Sequence, residues 1–195
     1  MSEEKKKRGR PRSEKAKHAI LSCATELLLE SGLRDMTVDE ISNRTGISKA
    51  TIYKWWSNKT AVAIDAFLDM MEAEVIIPNT GSILEDFTLQ LKSVTRFYLS
   101  PRGKVFSQLI AEGQFDPQIA ETFRDLFLKK RRKEAYRMWE RAVQRGEVRP
   151  EINKDIAVDL LYGPMIYRLL TGHAPLDDEA AEEIVEVLLS GIKKK

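Results

Sequence analysis

Apolar residues recur at intervals of three and four along almost the whole chain, the spacing that lines one face of an α-helix, and no stretch of useful length alternates as a strand would. Over residues 14–31, Ile20, Ala24, Leu27, Leu28 and Ser31 mark the inner face of a first helix, which Gly32 stops. Thr37 followed by Glu40 has the form of a capping box, opening a short second helix whose Val38 and Ile41 turn inward. Gly46 can supply the positive φ of a tight turn, and Ser48 caps a third helix of about two turns. Ser57 or Asn58 caps a fourth, which runs through Ala63, Ile64, Phe67, Leu68 and Met71 toward residue 75. Beyond it, the breaks IPNTGS (77–82), SPRG (100–103), FDP (115–117), RGEVRPEIN (145–153) and TGHAPLDD (171–178) separate further amphipathic segments. The expected fold is all-α: an N-terminal three-helix unit and a larger helical domain, about nine helices.

With 195 residues, 43% of them hydrophobic and 32% charged, the chain can build one medium core or a small domain joined to a larger one. No apolar run approaches the roughly 18 residues that read as a membrane span, and the N-terminus MSEEKKKRGRPRSEKAK lacks the apolar stretch of a secretory signal. A cytoplasmic location without a membrane partner is expected. Cys23 is the only cysteine, which excludes an internal disulfide and a zinc site built on several thiolates; its helical neighbours favour core packing over redox sensing. His18 and His173 are the only histidines, and neither has a nucleophile or metal-ligand spacing beside it, so no enzyme, cofactor or metal site is expected.

Charge is divided unevenly. Residues 1–60 hold 13 Lys and Arg against 8 Asp and Glu, whereas the rest hold 19 against 22, so the positive excess sits at one end. That end suits a polyanion.

The two short helices around RTGIS fit a helix-turn-helix, in which one helix braces a second that enters a DNA major groove. The longer stretch TVDEISNRTGISKATIYKWWSNKTAV resembles the DNA-binding segment of the TetR family of bacterial transcriptional regulators. The resemblance rests on Thr37 at a helix start, Gly46-Ile47-Ser48 at the turn, Thr51-Ile52-Tyr53 in the recognition helix and Asn58-Lys59 before a connecting helix. Ile52 and Trp56, four apart, are expected to pack inward, with Trp56 standing where the family usually has phenylalanine. Lys49, Ala50, Thr51, Tyr53 and Lys54 are then left outward beside Ser48. Lysine can donate to guanine and alanine can touch a thymine methyl, which makes Lys49 and Ala50 the candidate base readers. Similarity to the family assigns Thr51, Tyr53 and Lys59 to phosphates; Thr37 adds a helix-start hydroxyl. Trp55 departs from the histidine or tyrosine common at its position, so sugar stacking and plain packing both stay open for it. RGRP resembles an AT-hook core, which would send Arg8, Arg10 and Arg12 along a minor groove; a solubilising tail is the other reading.

Residues 159–192 resemble the last two helices of a common subset of that family. The charge density of KKKRGRPR and its lack of large apolar residues argue for a basic disordered arm over 1–13, and the resemblance implies a DNA-binding domain over 14–60, a connecting helix over 61–76, and a ligand-binding and dimerisation domain over 77–195. Phe106, Ile110, Gln114, Phe127 and Trp139, with Tyr162, Met165 and Tyr167 next to a kink allowed by Gly163-Pro164, are the candidate ligand-binding residues as a cluster, though each taken singly reads more readily as core. Leu161, Leu169, Ile184, Leu188, Leu189 and Ile192 are the candidate homodimer interface, pairing across a twofold axis. Implied partners are double-stranded DNA with a roughly palindromic operator, a second copy of the chain and an unidentified small molecule that releases a repressor. An activator of the same fold and a nonspecific architectural DNA binder using the arm are the alternatives.

Overall fold

The computed structural model describes residues 10–192, with side chains from residue 14 onward. Among these residues there is no β-strand, and eleven α-helices follow one another: α1 (Arg10–Glu30), α2 (Gly32–Asp35), α3 (Val38–Thr45), α4 (Lys49–Ile52), α5 (Lys59–Glu74), α6 (Ile83–Leu99), α7 (Gly103–Phe115), α8 (Pro117–Thr122), α9 (Lys129–Gln144), α10 (Lys154–Thr171) and α11 (Asp178–Ile192). A π-helical segment, Phe123–Leu128, joins α8 to α9. The surplus over the expected number comes from short pieces, α2 and α8, too brief to carry a periodic signature.

Local chemistry sets most boundaries. Asn58 accepts from the amide of Ala61 at 2.9 Å to start α5, and Asp116 accepts from Gln118 at 2.8 Å ahead of Pro117, whose missing N–H is harmless in a first turn. Asn153 and Asp177 open α10 and α11 in the same way, each accepting at 2.8 Å, from Asp155 and Ala180 respectively. The capping box forms by half: Thr37 accepts from the Glu40 amide at 3.1 Å, but the Glu40 carboxylate turns away to Arg44 at 2.8 Å. The expected start of the first helix at residue 14 also needs correction. α1 begins at Arg10, because Pro11 falls in its first turn, where no hydrogen bond is lost. Residues 10–13 of the expected arm are therefore helical; Arg8 and the side chains of Arg10 and Arg12 lie outside the described residues.

Two cores share one helix. α1 lies along α5, with α3 against α1 and α4 against α3, closing a small N-terminal head around Ile20, Ala24, Leu27, Ile41 and Ile52. From residue 83 onward a larger body forms, in which α6 packs on α7, α9 and α11, and α10 packs on α9 and α11. α5 also touches α6, α7, α8 and the π-helical segment. Its Val62, Ala63, Ile64, Ala66 and Phe67 are fully buried, an all-round apolar helix of the kind that two cores on opposite sides demand. Cys23 is buried in the head, and burial pushes its thiol up, which suits a small core residue rather than a reactive one.

Candidate functional site

The turn between α3 and α4 is built by Gly46 at φ 69°, a left-handed conformation that also ends α3 through a bond from its amide to the Ser42 carbonyl. Ser48 then accepts from the Thr51 amide at 3.3 Å and its hydroxyl meets that of Thr51 at 3.0 Å. α4 is shorter than the two turns expected: after Ile52 the backbone tightens, with Lys54 bonding back to Thr51 at 3.3 Å and Trp55 to Ile52 at 3.0 Å. This single turn is held from beneath by Ile52 and Trp56, both buried, as the spacing predicted. The Trp56 indole donates to Asp65 of α5 at 3.0 Å, with Lys17 of α1 5.9 Å from the ring centre. Head, turn and connecting helix thus meet at one indole.

Ser48, Lys49, Ala50, Tyr53 and Lys54 are exposed, Thr51 is half-buried, and Thr37 lies exposed at the start of α3. Tyr53 keeps 52% of its surface, a large share for a phenol with no core to serve. Trp55 keeps 36% and stands edge-on to Trp56. The Lys49 ammonium pairs with Asp39 of α3, which lifts its pKa above the ordinary lysine value by hydrogen bonding and by charge. Lys59 behaves differently from the expectation. Its ammonium donates to the Leu33 carbonyl at 3.2 Å and the Arg34 carbonyl at 2.8 Å, so it braces the end of α2 against α5.

The head is also tied to the body away from α5. Gln108 of α7 accepts from the Leu33 amide at 3.0 Å, and Arg34 pairs with Glu112 at 2.6 Å. Gly32 permits this approach: its φ is 79°, and a β-carbon there would stand 3.0 Å from the Gln108 side chain.

The body contains a cavity of about 340 Å³, within the range of small-molecule sites. Phe106, Phe127, Tyr162 and Met165 line it, as expected. Ile110, Gln114, Trp139 and Tyr167 do not. Trp139 is buried core; Gln114 is exposed and bonds back to the Ile110 carbonyl at 3.3 Å; Tyr167 is 61% exposed, its ring 4.7 Å from that of His173. Helical spacing gave these four an inner or a polar position without saying which side of the helix faced the void. The wall is completed by residues the sequence analysis did not assign to a ligand, among them Met71 of α5, Gln90, Val94 and Tyr98 of α6, and Arg131 of α9. Inside it, Tyr162 donates to Gln90 at 2.5 Å. Burial pushes the phenol of Tyr162 up, while the Arg131 charge and the Gln90 bond act against that.

The expected interface stripe on α10 and α11 also divides. Leu161 and Leu189 are 0% and 1% exposed, buried within their own subunit, and Leu169 is half-buried. Ile184, Leu188 and Ile192 instead line a shallow groove with Leu160, Pro164 and Val187. The exposed apolar face of α10 is the neighbouring stripe, Ile156, Leu160, Tyr167 and Leu170, and Val187 of α11 keeps 73% of its surface. α10 carries two apolar stripes; spacing cannot tell the one that meets its own core from the one left outside.

Comparison with known proteins agrees with this layout. Residues 20–66 match the family model for bacterial regulatory proteins, tetR family, and residues 77–188 match that for the tetracyclin repressor-like C-terminal domain. The chain is 42% identical over 187 residues to the uncharacterized HTH-type transcriptional regulator YdeS of Bacillus subtilis, covering 96% of this chain and 94% of the relative. It is 26% identical over 180 residues to the DNA-binding transcriptional repressor TetR of Mycobacteroides abscessus, covering 91% and 94%. The crystal structure of the TetR family transcription regulator SCO0332 superposes with a TM-score of 0.82 at 32% identity, covering 91% of this chain and 98% of that one. An exposed recognition turn on a three-helix head, carried by a helix that also walls a cavity in the body, places the chain in the TetR family as a DNA-binding transcriptional regulator.

Proposed function

We propose that the protein is a homodimeric repressor that leaves a roughly palindromic operator when a small molecule fills the cavity of its body. The observation that carries this reading is the position of α5. Its Met71 lines the cavity, and its Phe67 lies 5.5 Å from Phe127 and 6.1 Å from Phe106, both of them cavity residues. Its other end begins directly after the recognition turn and is held to Asn58, Leu33 and Arg34. A ligand that repositions the α5 wall therefore repositions the head. Linkage requires that ligand to favour the arrangement with poorer DNA spacing, a coupling typically of about 1–3 kcal/mol.

Lys49 and Ala50 are assigned to base edges, and Ser48, Thr51, Tyr53, Lys54 and Thr37 to the backbone of the same groove. On DNA, Lys49 would exchange Asp39 for a base or phosphate. Lys59 retains a third donor beyond its two carbonyls and is assigned a bracing role first and a phosphate contact second. Arg8, Arg10 and Arg12 are assigned to the adjoining minor groove on the strength of the RGRP sequence; deletion of residues 1–12 should then weaken binding and flatten its salt dependence.

Pairing is assigned to the exposed stripe of Leu160, Pro164, Tyr167 and Val187, where a second copy can cover apolar surface symmetrically. Selection of bound duplexes from a random pool should return two inverted half-sites about one helical turn or a multiple apart. Light scattering should give twice the 22.3 kDa chain mass, and Val187→Glu should reduce it to one. A lone half-site bound by a single subunit would end the reading.

A further inference from the structure

The cavity has one charged group that its surroundings do not use up. Arg131 of α9 is a wall residue with only 11% of its side chain exposed. Its Nη1 pairs with Glu134, one turn along, at 2.6 Å, while its Nη2 is buried with no hydrogen-bond partner. The other charged wall residues are spent on one another. Arg132 pairs with Asp155 at 3.0 Å and with Asp159, and bonds to Tyr136 at 2.9 Å. Gln90 accepts from Tyr162 through its Oε1. Glu134 is absent from the wall; its Oε2, 2.6 Å from Nη1 of Arg131, is likewise buried with no hydrogen-bond partner, and its carboxyl is pushed up by burial and held down by the Arg131 charge. Burial pushes up the phenols of Tyr98 and Tyr162, which line the same cavity as Arg131, and the Arg131 charge acts against that at both. A guanidinium is a rigid planar fork of donors that cannot shed its proton, so a buried arm without an acceptor is a recognition element waiting for an oxygen.

Resting on the reading of this cavity as the effector site, we infer that its ligand is an amphipathic anion, with an apolar body among Val94, Phe106, Phe127, Val158 and Met165 and a carboxylate paired with the guanidinium of Arg131, whose buried Nη2 turns to meet it. The wall supplies the apolar grip, and Arg131 selects the head group. A cationic head of the same size meets the guanidinium as a like charge. A neutral alcohol satisfies the donor with a single, weaker bond.

Calorimetric titration of the full-length protein at neutral pH with decanoate, decanol and decylamine tests this, because the three share one tail and differ in charge. Decanoate should bind at least about tenfold more tightly than decanol, and decylamine most weakly. Arg131→Met keeps an apolar stem and should erase the preference for decanoate. Glu134→Gln removes the competing carboxylate without altering the wall and should tighten decanoate a few-fold while leaving decanol unchanged; this second variant decides the matter if the first does not fold. Equal affinity of the native protein for decanoate and decanol, or a preference surviving Arg131→Met, or no gain in Glu134→Gln, overturns the anion and leaves the cavity as an effector site. Absence of binding by all three tails, with DNA binding intact, removes the cavity reading itself and the anion with it.

Discussion

The head and the body obey the same helical periodicity, yet they expose function in opposite ways. In the head, functional side chains are those the core leaves over: once Ile52 and Trp56 are buried, Ala50, Tyr53 and Lys54 face water, and Lys49 meets only Asp39 at the surface. In the body, the candidate site is a cavity lined mostly by residues of the same kinds that fill the rest of the core, and only Arg131, Gln90, the phenols of Tyr98 and Tyr162 and the Arg132–Asp159 pair distinguish its wall from ordinary packing. A surface site can be recognised by exposed chemistry. An interior one is recognised by what is missing around it.

The strongest test of this contrast is Trp56→Ala. It removes a buried ring together with the bond to Asp65, and about 3–5 kcal/mol of stability should go with it. Denaturant unfolding followed by the remaining tryptophans should show the loss, and operator binding should fail because the recognition turn has lost its support. Next comes a pair on α11. Leu189→Ala should cost about 2–5 kcal/mol in subunit stability, whereas Val187→Ala, at an exposed site, should stay within about 0.5 kcal/mol and act on the dimer equilibrium instead. Equal effects would show that the register of α11 described above is wrong.

A smaller effect is expected at the seam between the two regions. Gln108→Ala leaves the Leu33 amide without its acceptor, at about 1–3 kcal/mol, and should weaken the ligand response more than it weakens operator affinity. A response unchanged in that variant would place the coupling in α5 alone. The smallest is Tyr53→Phe, which keeps the ring and removes one hydroxyl. It should lower DNA affinity by about 1 kcal/mol, to the same degree on all sequences, as a phosphate contact does. Lys49→Ala, by comparison, should alter which sequences are preferred, measured by selection from a random pool.

Much of the head was legible because its rules are local. A cap at Thr37, Ser48 or Asn58 acts on an amide three residues away, and Gly46 answers a backbone angle at its own position. Where a second neighbour intervened, the reading slipped. Glu40 serves Arg44 rather than completing a capping box, and Lys59 reaches back 25 and 26 residues to carbonyls that no spacing rule connects with it. The body shows the same limit on a larger scale. Phe106, Phe127, Tyr162 and Met165 were found as large residues in a helical core, but so were Trp139 and Ile110, which the cavity does not touch. Arg131 sits in the run KKRRK, where spacing gives no sign of burial; its burial follows from α9 packing on α10 and α6, which is invisible along the chain.

By itself, the order of residues determined an all-α chain, the positions of its breaks, the recognition turn after Gly46 and the inward and outward faces around it, since each of these is decided within a turn or two of helix. Tertiary structure alone decided that α5 belongs to both cores, which apolar stripe of α10 stays outside, and that a guanidinium is carried into a cavity with one arm unpaired. The physical reason is range. Hydrogen bonds and backbone angles act between neighbours in sequence, whereas a void, a groove or an unpartnered charge exists only where helices distant in sequence approach and fail to fill the space between them.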